Sequence, residues 1–124
     1  MTVTRQYRSR TNHYAGEAAE LAVAQSYERR GYVIAERRWR GRGGEVDLIT
    51  RNEDGLVFVE VKKSKTFDAA AHRITAKQME RIYASAAQYL ENEPSGQLSN
   101  VRFDVALVDA LGRHEIIENA YGLG

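Results

Sequence analysis

Eighteen residues, Glu45 to Lys62, constrain the fold of this chain more than any other stretch. They read Glu-Val-Asp-Leu-Ile-Thr-Arg, then Asn-Glu-Asp-Gly, then Leu-Val-Phe-Val-Glu-Val-Lys, which is two runs of period two joined by a turn. Val46, Leu48 and Thr50 alternate with Glu45, Asp47 and Ile49, and Val57, Val59 and Val61 alternate with Phe58, Glu60 and Lys62. A turn centred between Glu53 and Asp54 closes a hairpin and sets Asp47 opposite Glu60, with Glu45 and Lys62 beside them. Three carboxylates and one ammonium then share a patch. Like charges directly across a strand pair repel unless something positive lies between them, and a divalent cation would fit. The plainer reading is a solvated hairpin face on which Lys62 neutralises Glu60. Against it, Leu48-Ile49 and Leu56-Val57-Phe58-Val59 are apolar on both faces, as in a strand covered on both sides.

The spacing of Asp47, twelve residues, then Glu60-x-Lys62 resembles the active-site signature of the PD-(D/E)xK nuclease superfamily. The wider string Arg-Gly-Arg-Gly-Gly-Glu-Val-Asp-Leu-Ile, followed by Val-Phe-Val-Glu-Val-Lys, resembles the YraN family, small bacterial proteins taken to be endonucleases of that superfamily. Val46 stands where the superfamily carries a proline, and the YraN-like pattern tolerates a branched aliphatic residue there. The resemblance runs from Gly16 to about Tyr121 and implies a restriction-endonuclease-like fold. It also implies that Glu17, in the pair Gly16-Glu17, approaches a metal site from a helix as an auxiliary ligand or just behind one. A carboxylate in a first helical turn is equally explained by the helix dipole. In the family and in archaeal-type Holliday junction resolvases a Lys-Gln pair faces the active site, which would give Lys77 and Gln78 supporting roles.

A chain of 124 residues, 43% hydrophobic, is long enough for one sheet and two or three helices. Residues 1–13 are expected to form a flexible basic arm, residues 14–121 a single α/β domain and residues 122–124 a tail. The absence of cysteine excludes disulfides, thiolate zinc sites and cysteine nucleophiles and suits a reducing cytosol. No apolar run approaches a membrane span, and the N-terminus lacks a signal-peptide core, so a cytoplasmic protein is expected. Net charge is +1, but residues 1–44 carry nine Arg against four Glu, whereas residues 45–124 carry nine Lys and Arg against thirteen acids. A basic front beside an acidic patch suits a phosphodiester substrate, although scattered surface arginine would look the same.

In chain order, residues from about Tyr14 to Arg30 have helical spacing through Ala18, Leu21, Ala22, Ala24 and Tyr27, and Gly31 supplies the stop. A first strand is expected over Tyr32 to Trp39. Arg38, Arg40 and Arg42 crowd around Trp39, a pattern that can grip phosphates and stack on a base. Trp39 packing on the first helix is the alternative. Residues Lys63 to Arg73 lack a period and include Lys63 and Lys65, which suggests a mobile lip over the site. Thr75 followed by Gln78 is a capping-box pattern and opens a second helix that ends near Asn92. The Gln78 side chain is therefore open to either a capping or a site role. Strands are expected at Val101 to Val108 and His114 to Ile117. Asp104, flanked by apolar residues, calls for a buried partner such as an arginine. His13, His72 and His114 are too scattered for zinc.

The order helix, strand, hairpin, helix, strand predicts an α/β sandwich, a central mixed sheet with helices on both sides. The expected chemistry is metal-assisted hydrolysis of DNA phosphodiester bonds, with branched DNA suggested by analogy to the resolvases. Asp47, Glu60 and the Val61 carbonyl would bind Mg²⁺ or Mn²⁺, Lys62 would act on the attacking water, Glu17 would complete the ligand shell and Gln78 would steer the water. Arg38, Trp39, Arg40, Arg42, Lys63, Lys65 and Lys77 form the expected nucleic-acid surface. A homodimer is expected if the substrate is a two-fold junction. The rival expectation is a nucleic-acid-binding or assembly module of the same fold that does not turn over.

Overall fold

The computed structural model describes residues 3–96 and 99–120, with side chains from Gly16 onward. Its elements are α1 (Val3–Arg29), β1 (Val33–Gly41), β2 (Gly44–Asn52), β3 (Gly55–Lys63), α2 (Phe67–His72), α3 (Ala76–Leu90), β4 (Val101–Val108) and β5 (His114–Ile117). The five strands lie in sequence order in one sheet. Every neighbouring pair is antiparallel except β3 and β4, which run parallel, so α2 and α3 form the crossover between them. This is the expected α/β sandwich around a mixed sheet, compatible with a restriction-endonuclease-like arrangement. No described helix is long and apolar enough to cross a membrane.

The two faces of the sheet are buried separately. Leu48, Val57, Val59, Ala106 and Val108 pack against Ala19, Val23, Ala24 and Tyr27 of α1. Val46, Ile49, Leu56 and Phe58 pack against Met79, Ile82, Ala86 and Leu90 of α3. Residues of β2 and β3 thus feed both clusters, which is why these runs are apolar on both faces. α2 covers the β4 end of the α3 face, where Ala70 meets Val105 and Leu107.

Helix α1 ends in a Schellman motif at Gly31, whose φ is +92°: Gly31 N donates to Glu28 O and Tyr32 N to Tyr27 O. Its start differs from expectation. The helix begins at Val3 rather than Tyr14, so most of the segment expected as a loose arm is continuous with it. The face also shifts, because Ala19 and Val23 are buried while Leu21 is 45% exposed. Residues 122–124, expected as a tail, lie outside the described residues. The segment expected as a mobile lip contains α2, capped where Thr66 Oγ1 accepts from Ala69 N. Asp104 is buried as expected and has its arginine: Arg102 donates to both carboxylate oxygens at 2.8 and 2.9 Å, and the Tyr27 hydroxyl and Asn119 N–H complete the set.

Candidate active site

The β2–β3 register is the one the turn predicted, running from Asn52↔Gly55 to Leu48↔Val59. There the ladder stops, one step short of pairing Asp47 with Glu60. Asp47 instead turns its carboxylate onto the neighbouring main chain, where Oδ2 accepts from Val61 N at 2.8 Å. The same break shows in packing, since Val46 joins the α3-side cluster and Leu48 the α1-side cluster. Strict alternation fails at Asp47, while β3 continues beside β4 as far as Lys63↔Val108. The strands part where the carboxylates sit.

Glu60 is 5% exposed. Its Oε1 accepts from Gln78 Nε2 at 2.8 Å and lies 3.1 Å from Lys62 Nζ, which leaves Oε2 for another partner. Burial raises the Glu60 carboxyl above its ordinary value, and Lys62 opposes the rise. Burial and, next, the negative charge of Glu60 push Asp47 up to about 8, against the Val61 N–H and Lys62. Burial and mutual repulsion thus disfavour two charged carboxylates side by side here, as in other close acid pairs. A cavity of about 390 Å³ opens over them, lined by Gly43, Gly44, Glu45, Lys62, Gln78 and Arg81 among others. Among the described residues no three acidic or histidine side chains gather closely enough to hold a metal by themselves. The acidic centre is a pair.

Two elements close around it. Thr75 Oγ1 accepts from Gln78 N, which caps α3, but the Gln78 side chain does not complete a capping box and reaches Glu60 instead. The β1–β2 turn is latched to α3 by Ser85 Oγ donating to Gly44 O and by Arg42 N donating to Gln88 Oε1. A Cβ at Gly43 would collide with the Arg81 carbonyl, so only glycine lets the turn seat there.

Asp47, Glu60, Val61, Lys62 and Gln78 come together as expected; other residues do not. Glu17 is displaced by its neighbour one helical turn on. Glu17 is 41% exposed and pairs with Arg38 at 3.3 Å, whereas the Glu20 side chain is 14% exposed, and after burial, the main cause, the charge of Glu20 adds a small upward push on both Asp47 and Glu60. The i, i+3 relation between the two glutamates is the signal that names Glu20, once the buried face of α1 is known. Arg38 is committed to Glu20 at 2.8 Å and to Glu17, and its φ of +51° places it at an irregular point of the edge strand. Trp39 packs on α3 rather than on α1, meeting Tyr89 edge-on at 5.1 Å. Arg40 is exposed, 3.7 Å from Glu45, and Arg42 is exposed on the turn. Lys77 is exposed and lines no part of the acidic cavity. Lys63 and Lys65 line a second cavity that shares Lys62. Arg81 was not foreseen.

Known proteins give the chain its kin. A UPF0102 protein of Ruegeria pomeroyi is 59% identical over 117 residues, covering 94% of this chain and 95% of the relative. One from Cereibacter sphaeroides is 58% identical over 110 residues, covering 89% and 94%, and one from Dinoroseobacter shibae is 41% identical over 115 residues, covering 93% and 86%. A family model described as "Uncharacterised protein family UPF0102" matches residues 19–108, a span holding the whole hairpin, Glu20 and Gln78, and the chain belongs to that family, the YraN-like group.

Proposed function

We propose that this protein is a metal-dependent endonuclease of the PD-(D/E)xK type, acting on DNA phosphodiester bonds in the cytoplasm. The observation that carries the reading is half-buried Asp47 beside buried Glu60 on parting strands, with Lys62 and Gln78 on the same oxygen of Glu60. Withdrawing two neighbouring acids from water is unfavourable for a purely structural purpose. Mg²⁺ or Mn²⁺ fits the donors: Asp47 and Glu60 each keep an oxygen not engaged by the main chain, Gln78 or Lys62, and the Val61 carbonyl would be the third donor. Two carboxylates, with remaining positions left to water and substrate phosphate, are the usual holding of magnesium. Such an ion supplies Lewis acidity and a more acidic water.

The chain's own groups do the rest. Asp47 and Glu60, in their charged forms, would hold the cation. Lys62, anchored on Glu60, orients the attacking water and meets the charge growing on the phosphate. Gln78 fixes the rotamer of Glu60, and Glu20 adds negative charge behind the pair. The test is incubation of the protein with four-way junction, flap, nicked and linear DNA in manganese or in EDTA. Cutting of at least one substrate in manganese, abolished by EDTA and by Asp47→Asn, is expected. Binding that survives EDTA without cutting by concentrated protein would establish the non-catalytic module instead. If the junction is the substrate, light scattering should show a dimer on it, because paired cuts need paired sites.

A further inference from the structure

Sharing Lys62 with the acidic cavity is a larger one, about 630 Å³, lined by Lys62, Lys63, Ser64, Lys65 and Arg73 with small residues of α1 as its wall. The Lys63–Lys65 shelf is fixed from both sides. Ser64 N donates to Val108 O, Ala110 N to Lys65 O, and Arg73 Nη1 to Lys63 O. Among the described residues neither Lys63 nor Lys65 has an ion-pair partner, while Glu20, the one acid in the lining, is held by Arg38. A rigid shelf carrying unneutralised ammonium groups and an arginine is an anion site. Its volume is that of a small-ligand pocket, more than a phosphate fills, and Gly16, Ala19, Val61 and Ala110 give it apolar surface for a sugar or base.

We infer that this cavity binds the nucleotide next to the cleaved phosphodiester, with its phosphate on Lys63, Lys65 and Arg73. The inference rests on the proposed nuclease reading and narrows its substrate class: a base inside the pocket is out of its duplex, and a strand already unpaired beside the cut, as at a flap, gap or branch, enters without unstacking or unpairing. A fully paired strand must first flip the base out, so it is the poorer substrate.

Binding of 5′-phosphorylated dithymidylate, measured by calorimetry in EDTA, tests the site without any cleavage. Wild type and Asp47→Asn should bind alike, and the Lys63→Gln/Lys65→Gln double variant, which keeps the main-chain hydrogen bonds of the shelf, should bind at least tenfold more weakly. Arg73→Ala should weaken binding as well, with circular dichroism confirming the fold. Equal affinity in wild type and the double variant would overturn the site while leaving the nuclease reading to its own cleavage test. Inorganic phosphate binding as tightly as the dinucleotide would overturn the nucleotide subsite, and cleavage of intact linear duplex as fast as of a flap would overturn the substrate class.

Discussion

Asp47 is where the chemistry of the site becomes measurable. With its carboxyl pushed up to about 8 in the folded protein from an ordinary value of 3.8, the folded state holds a proton that the unfolded chain has lost between those values. The resulting stability is fully present below about pH 4 and is lost as pH rises to about 8, at up to about 1.4 kcal/mol per pH unit for one proton. Chemical denaturation in EDTA should therefore show wild type losing stability over that window relative to Asp47→Asn, whose amide oxygen can still accept from Val61 N. A pH-independent difference between the two proteins would mean that Asp47 is not held protonated by its surroundings. Lys62 separates holding a cation from using it. Lys62→Ala removes the ammonium 3.1 Å from Glu60 but no ligand, so calorimetry should find manganese bound within a few-fold of wild type while cleavage falls about a hundredfold or more. Parallel loss of both would assign Lys62 to the metal centre itself.

Helix α3 combines two functions in one turn. Thr75 caps it through the main chain of Gln78, and the Gln78 side chain belongs to Glu60. Thr75→Ala should lower stability by about 1 kcal/mol and leave the pH dependence of manganese binding in place. Gln78→Ala, which strips a donor from Glu60, should move that dependence to higher pH, and titrations of the two variants separate cap from site. Much of this was legible beforehand for a physical reason: period two and turn chemistry fix strand register, so the hairpin, Val101–Val108 and His114–Ile117 emerge from the letters alone. Six residues, Phe67–His72, are too few to display a helical period, and α2 stays hidden until its contacts with β4 are seen. On α1, Ala18, Leu21 and Ala22 were as good a buried stripe as Ala19 and Val23, because alanine marks no face. Glu17 stood out through the Gly16-Glu17 pair of the resemblance, which does not say which face of α1 is buried and so did not point to Glu20. The capping-box spacing at Thr75 was correct and still said nothing about where the Gln78 side chain would go.

The fold sets the acid pair at the end of the sheet where α1 and α3 both reach it, so cation binding should be felt by the entire domain. Manganese should raise the wild-type melting temperature by mass action on the folded state and raise that of Glu60→Gln much less. In EDTA above pH 8, where both carboxyls charge, Glu60→Gln should melt at or above wild type. A clearly less stable, manganese-indifferent variant would make Glu60 and Lys62 a structural ion pair. The parallel β3–β4 crossover has a further consequence, in time rather than in free energy. The β2–β3 hairpin closes through short-range contacts, whereas β4 can join β3 only after residues 64–100 have been carried across with α2 and α3, and such long closures are the slow ones. Asp47 and Glu60 meet on the early element, before Gln78 arrives with the later one. On the open hairpin the two acids are still solvated and both are charged by pH 6, so a proton is taken up only once α1 and α3 cover them; refolding in EDTA should change little from pH 6 to 9 while unfolding speeds up, and Asp47→Asn should show little of this dependence. If stopped-flow measurements place the pH dependence on the refolding limb, the pair is already covered when the rate-limiting step is crossed.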